Sequence, residues 1–242
     1  SAHPELWRGL VGAWVPALKY QGQRLIDASG NTNAATFTNG TQVTVSRFGH
    51  SIALDGVDDY LLIGKPAALD FTGKGTISAW IRPTAWPVND DPGERHEIYS
   101  KGFDGSNEAV ALEIRDASPR LQFGTFDGIF HGARHSLSSW VLGDWRHVAG
   151  VYDGQNWLIF VDAALVASSA DATGILAANT DVRIGAYKHK TKQSAGGRYF
   201  EGNIGGVCVF DRALTPANIC TLYTDPLAPF RLRDDTALVT AA

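Results

Sequence analysis

The strongest constraint in this sequence is a two-residue alternation. In TISAWIRP, residues 76–83, Ile77, Ala79 and Ile81 fall on one side of an extended chain and Ser78, Trp80 and Arg82 on the other. The same period runs through WRHVAGVY (145–152), WLIFVD (157–162) and GGVCVF (205–210), and in shorter form through AVALEIR and RLQFGTF. Successive side chains point to opposite faces only on a strand, so these segments predict strands with one face turned to a core. Between them stand turn signals, DASGN, LDGVDD, FDGSN and YDGQN, within a chain of 26 Gly and 10 Pro. Many short strands broken by frequent turns read as an all-β sandwich or barrel. One helix is predicted, TPANICTLY (215–223), with Thr215 as N-cap and Pro216 as its first residue. The prolines of DPLAPF stop it.

The 242 residues suit one large β domain, and 44% apolar residues are enough for its core. A formal net charge of -4 argues against nucleic acid, whose phosphates call for a basic surface. No apolar run approaches the roughly 18 residues of a membrane helix, so no membrane insertion is expected. The start, SAHPELWRGLVGAW, lacks a basic segment followed by an apolar one, and no signal peptide is read there. Cys208 and Cys220 lack zinc or redox spacing and are expected to be two small buried residues.

LDGVDDYLLIG (54–64) sets Asp55, Asp58 and Asp59 between two apolar runs. Asp-Gly favours a tight turn, with a metal-ligand role as the alternative. HGARH spaces His131 and His135 like a zinc motif but lacks its glutamate, so exposed or capping histidines are expected. No GxSxG, phosphate loop or dinucleotide fingerprint occurs. Two loops exceed what a turn needs, an acidic one over 86–96 and a basic one over 187–198. Aromatics outside the repeating core pattern are Trp86, Phe126, Phe130, Trp140 and Tyr187, with His189 and Lys190 beside the last. Flat aromatic faces against sugar C–H surfaces, with polar neighbours for hydroxyls, make these seven the candidate carbohydrate-binding residues.

Four stretches in this order resemble the laminin-G-like group of the concanavalin A-like lectin/glucanase superfamily. They are LVGAW…LIDASGNTNAATF (10–37), FGHSIALDGVDDYLLIG with GTISAWIRP (48–83), GDWRHVAGVYDG with WLIFVDAALV (143–166), and FEGNIGGVCVFDRALTPANICTLY (200–223), about four fifths of the chain. The resemblance implies an antiparallel two-sheet β-sandwich, a jelly roll over residues 1–230, with a loosely held tail at 231–242. It implies a structural role for His147. It also raises the question of one structural Ca²⁺ clamping the chain ends, with Asp27, Asn31 and Asp211 as ligands. Gly205-Gly206 stands where many relatives carry an acid, which weakens that set.

Retaining glycosidases need two facing carboxylates about 5 Å apart, and in this superfamily they come as Glu-x-Asp-x-x-Glu. None of the six glutamates begins that pattern, Glu113 and Asp116 fall on opposite faces of a strand, and Glu94 and Glu97 are expected in a loop. The expected function is therefore non-catalytic surface recognition. The chain's ending, LYTDPLAPFRLRDD, resembles those of laminin-G-like proteins encoded beside phage structural genes. A virion decoration or attachment protein that binds glycans is the leading expectation, and a secreted lectin module the alternative. A glycoside hydrolase comes third. The expected partners are a glycan or a virion or cell-surface protein, with homo-oligomers as a further expectation, and the location is a virion surface or the extracellular space.

Overall fold

The alternation resolves into strands throughout. The computed structural model describes residues 3–87, 95–115, 118–187 and 198–231. In chain order the strands are β1 Leu10–Trp14, β2 Tyr20–Gln21, β3 Arg24–Leu25, β4 Ala35–Thr38, β5 Gln42–Ser46, β6 Gly49–Asp55, β7 Tyr60–Gly64 and β8 Gly75–Pro83. There follow β9 Arg95–Phe103, β10 Glu108–Arg115, β11 Arg120–Phe126, β12 Phe130–Ser136, β13 Arg146–Tyr152, β14 Asn156–Val161, β15 Ala164–Ala170, β16 Val182–Ile184 and β17 Glu201–Phe210. A four-residue turn of helix, α1 Pro4–Trp7, precedes them, and α2, Pro216–Thr224, follows.

Two antiparallel sheets form a sandwich. One has eight strands in the order β15-β14-β13-β8-β17-β6-β5, with β1 added on β17. The other has nine, in the order β12-β11-β10-β9-β16-β7-β4-β3-β2. The alternation sorts residues as the sequence predicts: Ile77, Ala79 and Ile81 of β8 are buried between the sheets, with Phe123 of β11 and Trp157 of β14. Those two rings meet edge to face at 5.2 Å. Each such side chain contributes roughly 1.5–3 kcal/mol by leaving water.

The predicted helix is present. Thr215 Oγ1 accepts from Asn218 N at 3.2 Å, and the Asn218 side chain accepts from Thr215 N at 3.4 Å, a reciprocal cap. Its apolar residues Ile219 and Leu222 seal a second core with Leu6, Leu10, Phe160 and Phe210. Tyr223 stacks on Trp80 at 5.6 Å, so α2 covers this part of the eight-stranded sheet's outer face. One of the two cysteines differs from expectation. Cys208 is buried, and burial pushes its thiol up to about 12, whereas Cys220 is exposed. Cys220 follows Ile219 on α2, and the helical period turns it away from the core. No helix is long and apolar enough to cross a membrane.

LDGVDD is the turn between β6 and β7. Gly56 takes a φ of +76°, and Asp55 Oδ1 accepts from the amides of Val57, Asp58 and Asp59 at 2.8–3.4 Å. His147 is structural: its Nε2 meets Ser78 Oγ at 2.8 Å, and burial lowers its pKa to about 4.

Candidate functional site

The site grows from the outer face of β9–β12. On β11, Leu121 and Phe123 point into the sandwich, so Gln122, Gly124 and Phe126 face outward. Register carries a polar row across four strands: Glu97 on β9 lies opposite Glu113 on β10, Glu113 opposite Gln122, and Gln122 opposite Arg134 on β12. Gln122 Nε2 donates to Glu113 Oε1 at 2.8 Å, and Arg134 Nε donates to Gln122 Oε1 at 2.7 Å. Arg95 Nη1 donates to Glu113 Oε2 at 3.1 Å and lies 3.5 Å from Glu108 Oε2.

Glu97 and Glu113 are both 0% exposed. Two ionised carboxylates side by side without water repel strongly, and burial with the neighbouring Glu113 charge raises the Glu97 pKa well above its ordinary value. The raised pKa favours the neutral Glu97 carboxyl, and neither of its oxygens has a hydrogen-bond partner among the described residues. Burial also raises the Glu108 pKa, with Glu113 adding to it, against Arg95 and the Tyr187 hydroxyl, which lower it.

Beside this row the chain is nearly bare. Gly124 and Gly132 face each other across β11 and β12, and a Cβ on Gly132 would stand 2.5 Å from Phe130 Cζ. Their missing side chains let the Phe130 ring lie close against the sheet, with the Arg134 guanidinium 4.3 Å from its centre. Phe126, 37% exposed, meets Phe103 at 6.5 Å, edge to face. Tyr187 is flanked by Arg198 at 4.4 Å and Arg95 at 5.5 Å, and its hydroxyl donates to Glu108. Arg95, Phe103, Glu108, Arg115, Gln122, Phe126, Phe130, Tyr187 and Arg198 enclose an open cleft of about 170 Å³. A larger groove of about 500 Å³ lies elsewhere, between Lys65, Asp70, Lys101 and residues 177–182.

The cleft brings together Phe126, Phe130 and Tyr187, three of the aromatics singled out in the sequence. Trp86 and Trp140 instead pack against the core, Trp140 beneath the Arg146 guanidinium at 5.7 Å, and take no part in it. His189 and Lys190 lie outside the described residues, as do Asp116 and Glu94. Glu97, expected in a loop, sits in β9. The proline- and charge-rich run before it hides a strand start at Arg95. Arg95-x-Glu97 and Glu113-x-Arg115 each place a charge pair two residues apart on one strand face, which is the local signal that marks this polar row.

His131, expected to be exposed or capping, bridges two acids, Asp171 at 2.8 Å through Nδ1 and Asp127 at 3.1 Å through Nε2. Of the residues expected to hold calcium, Asp27 and Asn31 are engaged in hydrogen bonds to the backbone. Both Asp27 oxygens accept backbone amides, from Ala13 and Ser29 at 2.9 Å and from Asn33 at 3.1 Å. Asn31 turns its amide N–H₂ toward Leu10 and Val11, presenting donors where a cation needs oxygens. Asp211 pairs through its backbone with Gly9. These hydrogen bonds tie the three residues to the first strand and its flanks. Among the described residues, the acids close enough to share an ion are Asp55, Asp58 and Asp59, within 4.8 Å of one another. Asp55 there already serves as the acceptor of the turn.

The fold is a jelly-roll β-sandwich with an arginine- and phenylalanine-lined cleft on one sheet. The chain belongs to the laminin-G-like family of the concanavalin A-like lectin/glucanases superfamily, whose model matches residues 55–220. Domain 4 of AbnA, a GH43 extracellular arabinanase from Geobacillus stearothermophilus, solved in complex with arabinotriose, is 17% identical with a TM-score of 0.65, over 88% of this chain and 98% of that one. The binding domain of Paraclostridial mosquitocidal protein 1 is 16% identical with a TM-score of 0.68, over 92% of this chain and 53% of that one. Trypanosoma rangeli sialidase in complex with sialic acid is 16% identical with a TM-score of 0.60, over 89% of this chain but 32% of that one. At such identities the likeness shows the shared fold, and the chain spans about half of the toxin domain and a third of the sialidase. A search of curated protein sequences matches none of them.

Proposed function

We propose that the chain is a non-catalytic glycan-recognition module and that the cleft on β9–β12 is its site. The carrying observation is convergence: Phe126, Phe130 and Tyr187, far apart in sequence, line one cleft with Gln122 and three arginines. Aromatic faces supply apolar contact for sugar C–H groups, and the fixed polar side chains supply orientation. The non-catalytic half rests on burial. Glu97 and Glu113 form a carboxyl pair, yet both are fully buried, and Glu113 is already committed to Gln122 and Arg95. A general acid must reach the glycosidic oxygen, and neither group is placed to do so. The binding domains among the similar structures support the same reading.

The setting we propose is a virion surface or the extracellular space. The resemblance of residues 222–235 to the endings of phage-encoded relatives supports the first, and a secreted lectin is the alternative. The test is a glycan array probed with the wild type and with Phe126→Ala and Tyr187→Ala, with bound glycans then analysed for cleavage. Intact glycans retained by the wild type and lost by both variants support the reading. Hydrolysed products overturn its non-catalytic half, and retention by both variants overturns the site.

A further inference from the structure

We propose that two copies of the chain pair edge to edge along β5, extending the eight-stranded sheet across a two-fold axis. The last strand of a sheet leaves the N–H and C=O of alternate residues without a ladder partner. Folded proteins guard such edges with charge, proline, a bulge, brevity or a covering element. Three of the four terminal strands here are guarded. β2 has only two residues. β12 carries His131 and Arg134. β15 slips register between Ile159 and Phe160 of its neighbour and lies against β12 of the other sheet. β5, QVTVS, has no charge and no proline, and it runs in unbroken register along β6 from Gln42 to Ser46. Among the described residues no strand pairs with its other side.

A row of free donors and acceptors takes another strand, and β5 is complementary to itself. Val45 is 87% exposed and stands opposite His50, whose ring meets the half-exposed Tyr20 at 5.7 Å. With Thr44 on the axis, an antiparallel second β5 sets Val45 of each copy opposite Val43 of the other. Such β-branched cross-strand pairs stabilise a sheet. Charge selects the same arrangement. Arg47 closes one end of β5, its exposed guanidinium lying over the Phe48 and Trp80 rings at 5.1 and 5.4 Å. The other end is acidic. Asn39 Nδ2 donates to the carbonyl of the exposed Asp58 at 2.6 Å, and a Cβ on Gly40 would stand 3.1 Å from Asp59 Oδ1. The two-fold brings Arg47 of each copy toward Gly40 and Thr41 of the other, beside these acids. A parallel partner would set like charge against like. The cleft on β9–β12 lies toward the end of its sheet away from β2 and Tyr20, so it stays open in the pair.

The experiment is sedimentation velocity on the full chain, from low micromolar to near-millimolar concentration. Five residues a side fall well short of the roughly 20–30 of a standard interface, so a dimer in exchange with monomer is expected. Val45→Lys adds the guard that β5 lacks. It should weaken association by about tenfold, through the loss of two valine pairs, and leave the melting temperature in place because Val45 is exposed in the monomer. Arg47→Glu and Asp58→Arg should each weaken association as well, and the double variant should recover it. This charge exchange keeps the test intact should Val45→Lys not fold. A wild type that stays monomeric at the highest concentration overturns the proposal. So does a dimer that Val45→Lys and both charge variants leave unchanged, since its interface would lie on another surface.

Discussion

Glu97 shows how much one position depends on partners far away in sequence. As an isolated residue it is a charged group after a proline-rich run. In the sheet it faces Glu113, and the folded protein keeps a proton that the unfolded chain releases near pH 4.3. Its pKa is raised on folding, so the folded state binds more protons through the window between the unfolded and folded values. Stability therefore falls as pH rises through that window. Glu97→Gln replaces the carboxyl with a neutral amide of the same shape. We expect its melting temperature relative to wild type to climb between pH 4 and pH 9, followed by thermal unfolding at each pH. A constant difference would mean that folding does not raise the Glu97 pKa. The residues legible from sequence at this scale were aromatics, because an aromatic outside the core pattern stands out locally. Arg95, Glu108 and Arg198 were not legible, because what defines them is company 11 or more residues away.

At the scale of elements, the strands and α2 were legible because their signals are periodic and local. TISAWIRP needed only its own alternation, and TPANICTLY only its cap and its prolines. Which strands would pair was not legible, and neither was the strand status of residues 95–97, since pairing is decided by the whole sheet. The cap can be measured: Thr215→Ala should cost about 1 kcal/mol in denaturant unfolding. An unchanged midpoint would show that packing alone holds α2. The β11–β12 hairpin, which carries Phe126 and Phe130, is tied at its turn by His131 between Asp127 and Asp171. The Asp171 hydrogen bond and both acids raise the His131 pKa against slight burial. The bridge is then at full strength below about pH 6.5 and is lost as pH rises through the raised value. At the acid end it fades as the lowered Asp171 carboxyl is protonated. His131→Gln should destabilise the protein near pH 5.5 and much less at pH 9. An equal loss at both would show that the charge of His131 contributes nothing.

For the whole molecule, the family resemblance conveyed the sandwich, and its fold-level content held. Its suggestion of a calcium clamp meets a different arrangement, in which Asp27, Asn31 and Asp211 hold the first strand by hydrogen bonds. Adding calcium or EDTA should therefore leave the melting temperature unchanged. A rise of several degrees with calcium would place an ion in the fold after all, with Asp55, Asp58 and Asp59 the first residues to test by substitution.

The proposed ligand site is the cleft on β9–β12, and not the larger groove. Hydrogen–deuterium exchange of the full chain, with and without saturating amounts of the best-binding array glycan, tests this most directly. Slowed exchange is expected across residues 108–136 and around Tyr187, with no change at 65–70 and 177–182. Protection confined to 65–70 and 177–182 would contradict it and move the site to the other cavity.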